Sequence, residues 1–526
     1  MSTTSLLREQ ARAASAEASG RLDASAALPK GSSQARRKRL VLAAAAILVA
    51  LNVGKAGLFF AAGQPPLFRD ALVYWDLGSQ MSAGDWLLLE EKLAFRVPGY
   101  PLLLGVCQAL FGTYALVAVA ALQQLSIVAT ALLSAWLSWR ITGSRAAGLI
   151  VLGLSLVCIS RSYLGLYMLS DNLLCLTVTL FFAALVLWLE RPTPGRAALV
   201  GALLGLATLV KPVVQLAWLP VLVVMAVRLR ERKQTRSLVK QGACLVGSMM
   251  LVVLPWLVRN QVCFGRPFLT RSLGRQMWDC CFLGEPDGHW LNATLPLAAD
   301  KPATRQVLAE LEGSRVDLHE TWDVYPELLA RGYSEIECDD LMLAVSNEAI
   351  RERPVRFAYV RAYRCLLYWV TSEETFHWYY LEPECGQAAI DSAPETPLEP
   401  IAPHIPPTYA DQQTWLWPPC ADFLEGLTGC LWWPSRWLYA LAAGAVLWGW
   451  IVWMERVGPR SLGLAVGLIL LYFTLATGIP ARPVYRYRMI LEPLIVVVFS
   501  CALLQWRPRP RGRTTDWPPR DLKTQE

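Results

Sequence analysis

Residues 68–101 read FRDALVYWDLGSQMSAGDWLLLEEKLAFRVPGYP and lie between two long apolar segments. The stretch opens with Asp70, sets Tyr74 four residues on, and adds a second acid at Asp76. On a helix Asp70 and Tyr74 share one face, because positions i and i+4 stack. Gly84-Asp85-Trp86 is a turn signal. Arg96 closes the stretch ahead of Pro98, Gly99 and Pro101, and the prolines set the entry to the next apolar run. An acid, an aromatic and a base held between apolar segments suit a working surface at a membrane face. The competing reading is an ordinary wet loop, since most charges are solvated.

Working outward, the chain is 54% hydrophobic and 17% charged, against about a quarter charged in a typical globular domain. Long apolar runs recur, so the fold class is an all-α polytopic membrane protein. The formal net charge is +7, but the basic residues sit in short clusters between the apolar runs, as membrane topology requires. That distribution argues against nucleic acid as a partner and for membrane lipids.

Residues 1–38 are rich in Ala, Ser and Arg and read as a disordered cytoplasmic tail. Arg36, Arg37, Lys38 and Arg39 flank the first apolar segment, Leu40 to Ala62, which reads as a signal-anchor with the amino terminus inside. Residues 39–258 then form an amino-terminal transmembrane module whose first outer loop is 63–101. Leu102–Phe111 is too short to span and is expected along the interface. Further spans are expected over Tyr114–Trp139, Ala146–Ser160, Asn172–Leu189, Ala197–Val210, Val213–Val227 and Gln241–Val258. The loop from Arg228 to Lys240 is strongly basic and therefore cytoplasmic.

Residues 259–435 shift to Glu, Asp, Pro and aromatics and read as one soluble insert on the outer face. Within it, Arg351–Val370 has apolar residues at helical spacing among arginines, which suggests an amphipathic helix on the membrane surface. Residues 436–506 return to membrane helices, at Arg436–Met454, Leu462–Ile479 and Ile490–Trp506, and 507–526 form a cytoplasmic tail. Basic residues in every inner loop make about ten spans, with both termini inside, a consistent solution. The setting is a cell inner (plasma) membrane crossed many times, with the active face extracytoplasmic.

Eight of the 13 cysteines fall in the insert: Cys263, Cys280, Cys281, Cys338, Cys365, Cys385, Cys420 and Cys430. In an oxidising compartment that number suggests disulfide bonding. The four histidines, His289, His319, His377 and His404, are widely spaced in the insert, and no HExxH occurs. A divalent metal is thus open but indicated by no motif. There is no G-x-S-x-G and no P-loop.

What remains is a set of charges at the outer ends of the spans. The acids are Asp70, Asp76 and Asp171; the bases are Arg96, Lys211, Arg259, Arg482, Arg486 and Arg488. Charge so close to hydrocarbon is costly and often functional. Acids set beside bases at one face suit a substrate that carries a phosphate and presents a hydroxyl. Lys55 reads as interfacial snorkelling. Lys211 does not, because Pro212 ends its helix on the outer side.

The chain resembles the membrane-embedded glycosyltransferases of the C-type fold, and in particular bacterial relatives of the dolichyl-phosphate-mannose–protein mannosyltransferases and the lipid A aminoarabinose transferases. Four stretches carry the resemblance. They are the outer loop with Asp70, Tyr74, Gly84-Asp85-Trp86 and Arg96-Val97-Pro98-Gly99-Tyr100-Pro101; Ser170-Asp171-Asn172; GLATLVKP from Gly205 to Pro212; and PWLVRNQVCFG from Pro255 with RYRMILEP from Arg486. Two departures stand out: Ala71 follows the first aspartate where the family often has an acid, and Val97 separates Arg96 from the prolines.

The resemblance implies a polyprenyl-phosphate sugar as donor and transfer to a lipid, glycan or protein hydroxyl on the outer face, with inversion. It implies Asp70 as the base, with Asp171 as the second acid. Lys211, Arg486, Arg488 and Arg96 would hold the donor phosphate, and Tyr74 and Asp76 would orient the acceptor. The rival from another class is a transporter or flippase of a lipid-linked glycan. An inert scaffold would leave Asp70 and Lys211 unexplained.

Overall fold

The computed structural model describes residues 30–61, 70–90, 93–157, 161–162, 165, 167–282, 295–314, 316–318, 321–370, 460–479 and 489–505. Arg482, Arg486 and Arg488, all four histidines, Cys385, Cys420, Cys430 and the expected span Arg436–Met454 lie outside the described residues. The described residues contain no β-strand.

The chain divides into Met1–Leu51 and Asn52–Glu526. The described part of the first unit is the opening of helix α1 (Lys30–Ala61). In the second unit the apolar helices come first. They are α3 (Gly99–Phe111), α4 (Ala115–Thr142), α5 (Arg145–Val157), α6 (Asp171–Glu190), α7 (Pro194–Val210), α8 (Trp218–Glu231) and α9 (Leu238–Phe264), after the short α2 (Asp70–Ser82).

Six helical runs among the described residues are long and apolar enough to cross a membrane: Lys38–Ala61, Gly99–Thr142, Asp171–Glu190, Pro212–Glu231, Thr235–Phe264 and Ser461–Gly478. Three further expected spans are shorter apolar helices, Arg145–Val157, Pro194–Val210 and Glu492–Cys501. The expected interfacial helix Leu102–Phe111 starts earlier, at Gly99, and is joined to α4 through a single 3-10 turn at Gly112–Tyr114. Gly112 takes φ 52°, a left-handed value that lets the chain turn where a side chain would be strained.

The main core is built from α4, α6, α7, α8, α9, α15 (Arg460–Gly478) and α16 (Glu492–Gln505), around Phe181, Trp188, Leu204, Val221 and Phe473. Two of its members meet without side chains between them. A Cβ on Gly201 of α7 would collide with the Leu245 carbonyl of α9, the close approach that small residues permit between membrane helices. A Cβ on Gly99 would lie 2.6 Å from the Leu209 carbonyl, so the start of α3 rests on the end of α7. The second contact brings the end of the outer loop to the end of α7, and the first seats α7 on α9.

At the Glu190 end of α6 the helices are tied by charge. Arg140 donates twice to Glu190, at 2.8 and 2.9 Å, and Arg232 Nη2 donates to the Glu190 carbonyl. Glu231 accepts from Ser461 N and Oγ. Lys55, read from sequence as interfacial snorkelling, is partly exposed, and its Nζ donates to the Ser155 carbonyl at 2.7 Å. That carbonyl lies in the last turn of α5, the negative end of the helix dipole.

The insert holds its own helical core, from α10 (Leu273–Phe282), α11 (Pro302–Glu310), α12 (Thr321–Ala330) and α13 (Glu335–Glu352). Trp278, Phe282, Val324, Leu328, Met342 and Val345 fill it. Ser334 and Glu337 form a capping box at the start of α13. The expected amphipathic helix begins at Pro354 rather than Arg351, because α13 continues to Glu352 and proline favours the first turn.

This helix, α14 (Pro354–Val370), packs along α15 rather than lying alone. Arg361 Nη1 donates to the Ile479 carbonyl at 3.2 Å and Cys365 Sγ to that of Thr474 at 3.8 Å. Trp369 reaches the main core. Cys263, Cys280, Cys281, Cys338 and Cys365 are free thiols. Burial pushes the Cys338 thiol up to about 12, which keeps it an unreactive apolar filler.

Candidate active site

Four elements converge at the end of the bundle opposite Glu190. Helix α6 separates the two ends by its 20 residues, about 30 Å at the usual rise. Asp70 and Asp171 each open a helix, α2 and α6, where a negative charge is favoured by the dipole. Lys211 closes α7 with φ −155° and ψ 127°, the extended backbone that a following proline imposes. Arg96 stands in the last part of the outer loop, three residues before α3.

The acids and bases pair across these elements. Arg96 Nη2 lies 2.5 Å from Asp70 Oδ1. Lys211 Nζ lies 2.8 Å from Asp171 Oδ1. The first pair is part exposed, with side chains at 20% and 25%, while the Asp171 carboxylate in the second is only 2% exposed. The two cations are similarly placed, Lys211 being 17% exposed, so the difference lies in the carboxylates.

Tyr74 reaches from the first pair to the residue beside the second. Its hydroxyl accepts from Arg96 Nη1 at 3.4 Å and lies 3.4 Å from Ser170 Oγ, next to Asp171. Its ring meets Tyr100 edge-on at 5.0 Å. Tyr100 is fully buried and hydrogen-bonded to Gln123 at 3.5 Å, and Gln123 donates to the Gly165 and Tyr167 carbonyls. Tyr74 is thus fixed by a polar network from α3, α4 and the segment before α6.

Not every expected residue joins this group. Asp76 is buried on a different side of α2, six residues from Asp70, and accepts from Gln80 Nε2 at 3.0 Å. Arg259, read from sequence as an outer-face base, serves the backbone instead. It donates to the carbonyls of Leu87, Leu88 and Leu93 and to Asn260 Oδ1. Leu88 there takes φ 54°, and the guanidinium fixes that unusual turn from inside. No cluster able to hold a metal ion occurs among the described residues.

Three features were missed at the sequence level. Ser170 lies in a stretch singled out for its acid alone. Gln123 and Gln124 are adjacent amides inside an apolar helix, a signal that could have found them. Glu492, in RYRMILEP, pairs with Arg161 at 3.1 Å, both largely buried. This third pair joins α16 to the segment before α6.

A family comparison agrees with the resemblance. Residues 84–264 match the family model for Dolichyl-phosphate-mannose-protein mannosyltransferase. The matched segment contains Arg96, Asp171 and Lys211 and begins after Asp70, Tyr74 and Asp76. The crystal structure of ArnT from Cupriavidus metallidurans in the apo state is similar at 16% identity, covering 87% of this chain and 78% of that one, with a TM-score of 0.34. ArnT from the same organism bound to undecaprenyl phosphate is similar at 17% identity, covering 85% and 77%, with a TM-score of 0.38. No curated protein matches the chain in sequence.

Proposed function

We propose that this protein is an integral membrane glycosyltransferase that moves a sugar from a polyprenyl-phosphate donor to an acceptor hydroxyl at the outer face of the membrane. The observation that carries this reading is the pair of acid–base contacts, Asp70 with Arg96 and Asp171 with Lys211, at one end of an apolar bundle, with the Tyr74 hydroxyl between Arg96 and Ser170. The family match over residues 84–264 supports it.

The chemistry follows from the charges. The acceptor oxygen attacks the anomeric carbon with its lone pair, and its proton passes to the Asp70 carboxylate. The bond from that carbon to the phosphate oxygen breaks, and its electrons stay on the phosphate. Attack from the face opposite the leaving phosphate inverts the anomeric centre. The leaving group gains negative charge as the bond breaks, so fixed cations stabilise the transition state more than the bound donor. Lys211 and Arg96 supply that charge, with Arg486 and Arg488 assigned to the same phosphate from the sequence.

In the resting site each cation already has a carboxylate. An incoming phosphate competes with Asp70 for the charge of Arg96, which leaves the carboxylate able to take the acceptor proton. Donor binding thereby prepares the base. Among the described residues the ion pairs of the bundle stand at helix ends, whereas a flippase needs charges along a path through the bilayer.

The test is release of polyprenyl phosphate from a polyprenyl-phosphate sugar by the purified protein in liposomes. Acceptor-dependent release that Asp70→Asn abolishes supports the reading. Movement of the lipid between leaflets without release would replace it with the flippase.

A further inference from the structure

Arg96 is stacked as well as salt-bridged. Its guanidinium carbon lies 4.8 Å from the Tyr74 ring centroid and 4.8 Å from that of Phe95. Arg275 of α10 lies 4.3 Å from the same Phe95 ring and 4.2 Å from the Tyr325 ring of α12. Tyr74, Arg96, Phe95, Arg275 and Tyr325 therefore form one alternating ladder of rings and guanidinium groups. It runs from the candidate site into the core of the helical insert.

The backbone is pinned at the same rung. Glu335 accepts from Ala94 N at 2.8 Å, Arg271 N donates to the Ala94 carbonyl at 2.8 Å, and Thr270 Oγ1 donates to the Phe95 carbonyl at 2.7 Å. Arg275 is buried, its Nη2 donates to the Arg271 carbonyl at 3.3 Å, and its Nε has no hydrogen-bond partner among the described residues. Such a guanidinium lies between two ring faces with the charges of Glu335 and Asp339 nearby, a role its weak hydration permits and a lysine fills poorly.

We propose that Phe95 and Arg275 are positioning residues for Arg96, through which the helical insert sets the geometry of the membrane-face site. This rests on the reading of Arg96 as a phosphate-binding group. A long arginine side chain on a loop has many rotamers. The ladder leaves it one plane, with one edge turned to Asp70 and Tyr74, so the cation stands in place before the donor arrives. The insert is then part of the catalytic apparatus rather than an appended domain.

The experiment measures affinity of the full-length protein in detergent micelles for undecaprenyl phosphate. Phe95→Leu keeps an apolar side chain and every backbone bond but removes the ring. Arg275→Met keeps the apolar stem and removes the guanidinium. Each weakens binding about two- to thirty-fold, the range of one cation–π contact. Phe95→Tyr, which keeps the ring, stays within about twofold of the parent. In an Arg96→Ala background Phe95→Leu causes no further loss, because its effect passes through Arg96.

Unchanged affinity in Phe95→Leu, or losses that add in the double variant, overturns the proposal. If Arg275→Met does not fold, Phe95→Leu with Phe95→Tyr decides. If Arg96→Ala itself binds normally, the phosphate reading of Arg96 falls and amide exchange judges the ladder alone. Exchange over residues 93–98 then rises several-fold in Phe95→Leu while α9 amides stay as in the parent. No rise at 93–98 overturns the ladder as well.

Discussion

Asp70 carries the sharpest expectation at the scale of a single residue. Asp70→Asn keeps size and a polar first turn on α2 but removes the base. Expression and donor binding should be normal, with transfer down by about two to four orders of magnitude, the usual worth of a general base. If Asp70 merely capped its helix, removal would cost about 1 kcal/mol and leave transfer intact. Near-normal transfer by Asp70→Asn, with Asp171→Asn inactive, would move the base to Asp171.

Lys211 needs a paired test. Its partner Asp171 is 2% exposed, and breaking a buried pair costs about 3–5 kcal/mol by stranding the remaining charge. Lys211→Ala should therefore lower melting temperature and donor binding together. Lys211→Met with Asp171→Asn removes both charges and should recover the melting temperature but not the binding. Recovered binding would show that Lys211 serves only its neighbour.

At the scale of elements, the site depends on how closely α7 can approach α9. Gly201→Leu forces a side chain against the Leu245 carbonyl, and overpacking of this kind costs about 1–3 kcal/mol. Because Lys211 ends the same helix, the displacement should also weaken lipid-phosphate binding, measured beside the melting temperature. A destabilised variant that binds normally would mean that the end of α7 is held by Asp171 and Gly99 alone. Arg259 belongs to this scale too. Its sequence position at a span end suggested ligand chemistry, but three loop carbonyls take up its guanidinium.

At the scale of the whole molecule, Glu335 joins the insert to the outer loop. Burial first, against the bond from Ala94 N and the charges of Arg275 and Arg259, and with Asp339 nearby, holds its carboxyl above the usual range. A raised folded pKa means that the folded state holds the proton more tightly. Its contribution to stability is full below the unfolded value of 4.5 and is lost as pH rises through the folded value. Glu335→Gln still accepts from Ala94, so it should melt no lower than the parent at neutral pH and lose part of the pH dependence. Glu335→Ala strands the amide and should cost about 1–3 kcal/mol. Equal melting of the alanine and glutamine variants would remove Glu335 from the junction.

Topology is the other whole-molecule prediction. Reporter fusions should find the Arg228–Lys240 loop in the cytoplasm and residue 350 outside, by the distribution of basic residues. A cytoplasmic residue 350 would take the proposed active face with it.

Much of this was legible in the sequence by itself, for local reasons. Apolar runs separated by basic clusters dictate membrane helices whatever their neighbours, because lipid leaves the backbone few alternatives. Pro212 ends α7 at Lys211 by sterics within the dipeptide, and Asp70 and Tyr74 share a face by helix geometry alone. The tertiary structure decided which charges meet. Nothing local tells that Arg96 pairs with Asp70, that Lys211 pairs with Asp171, or that Arg259 turns inward while Lys55 finds the Ser155 carbonyl. Those partners lie 26 to 172 residues away, and each choice depends on how closely whole helices pack. The same holds for Phe95 and Arg275, which became visible only when the insert closed on the loop and left one ring between two guanidinium groups.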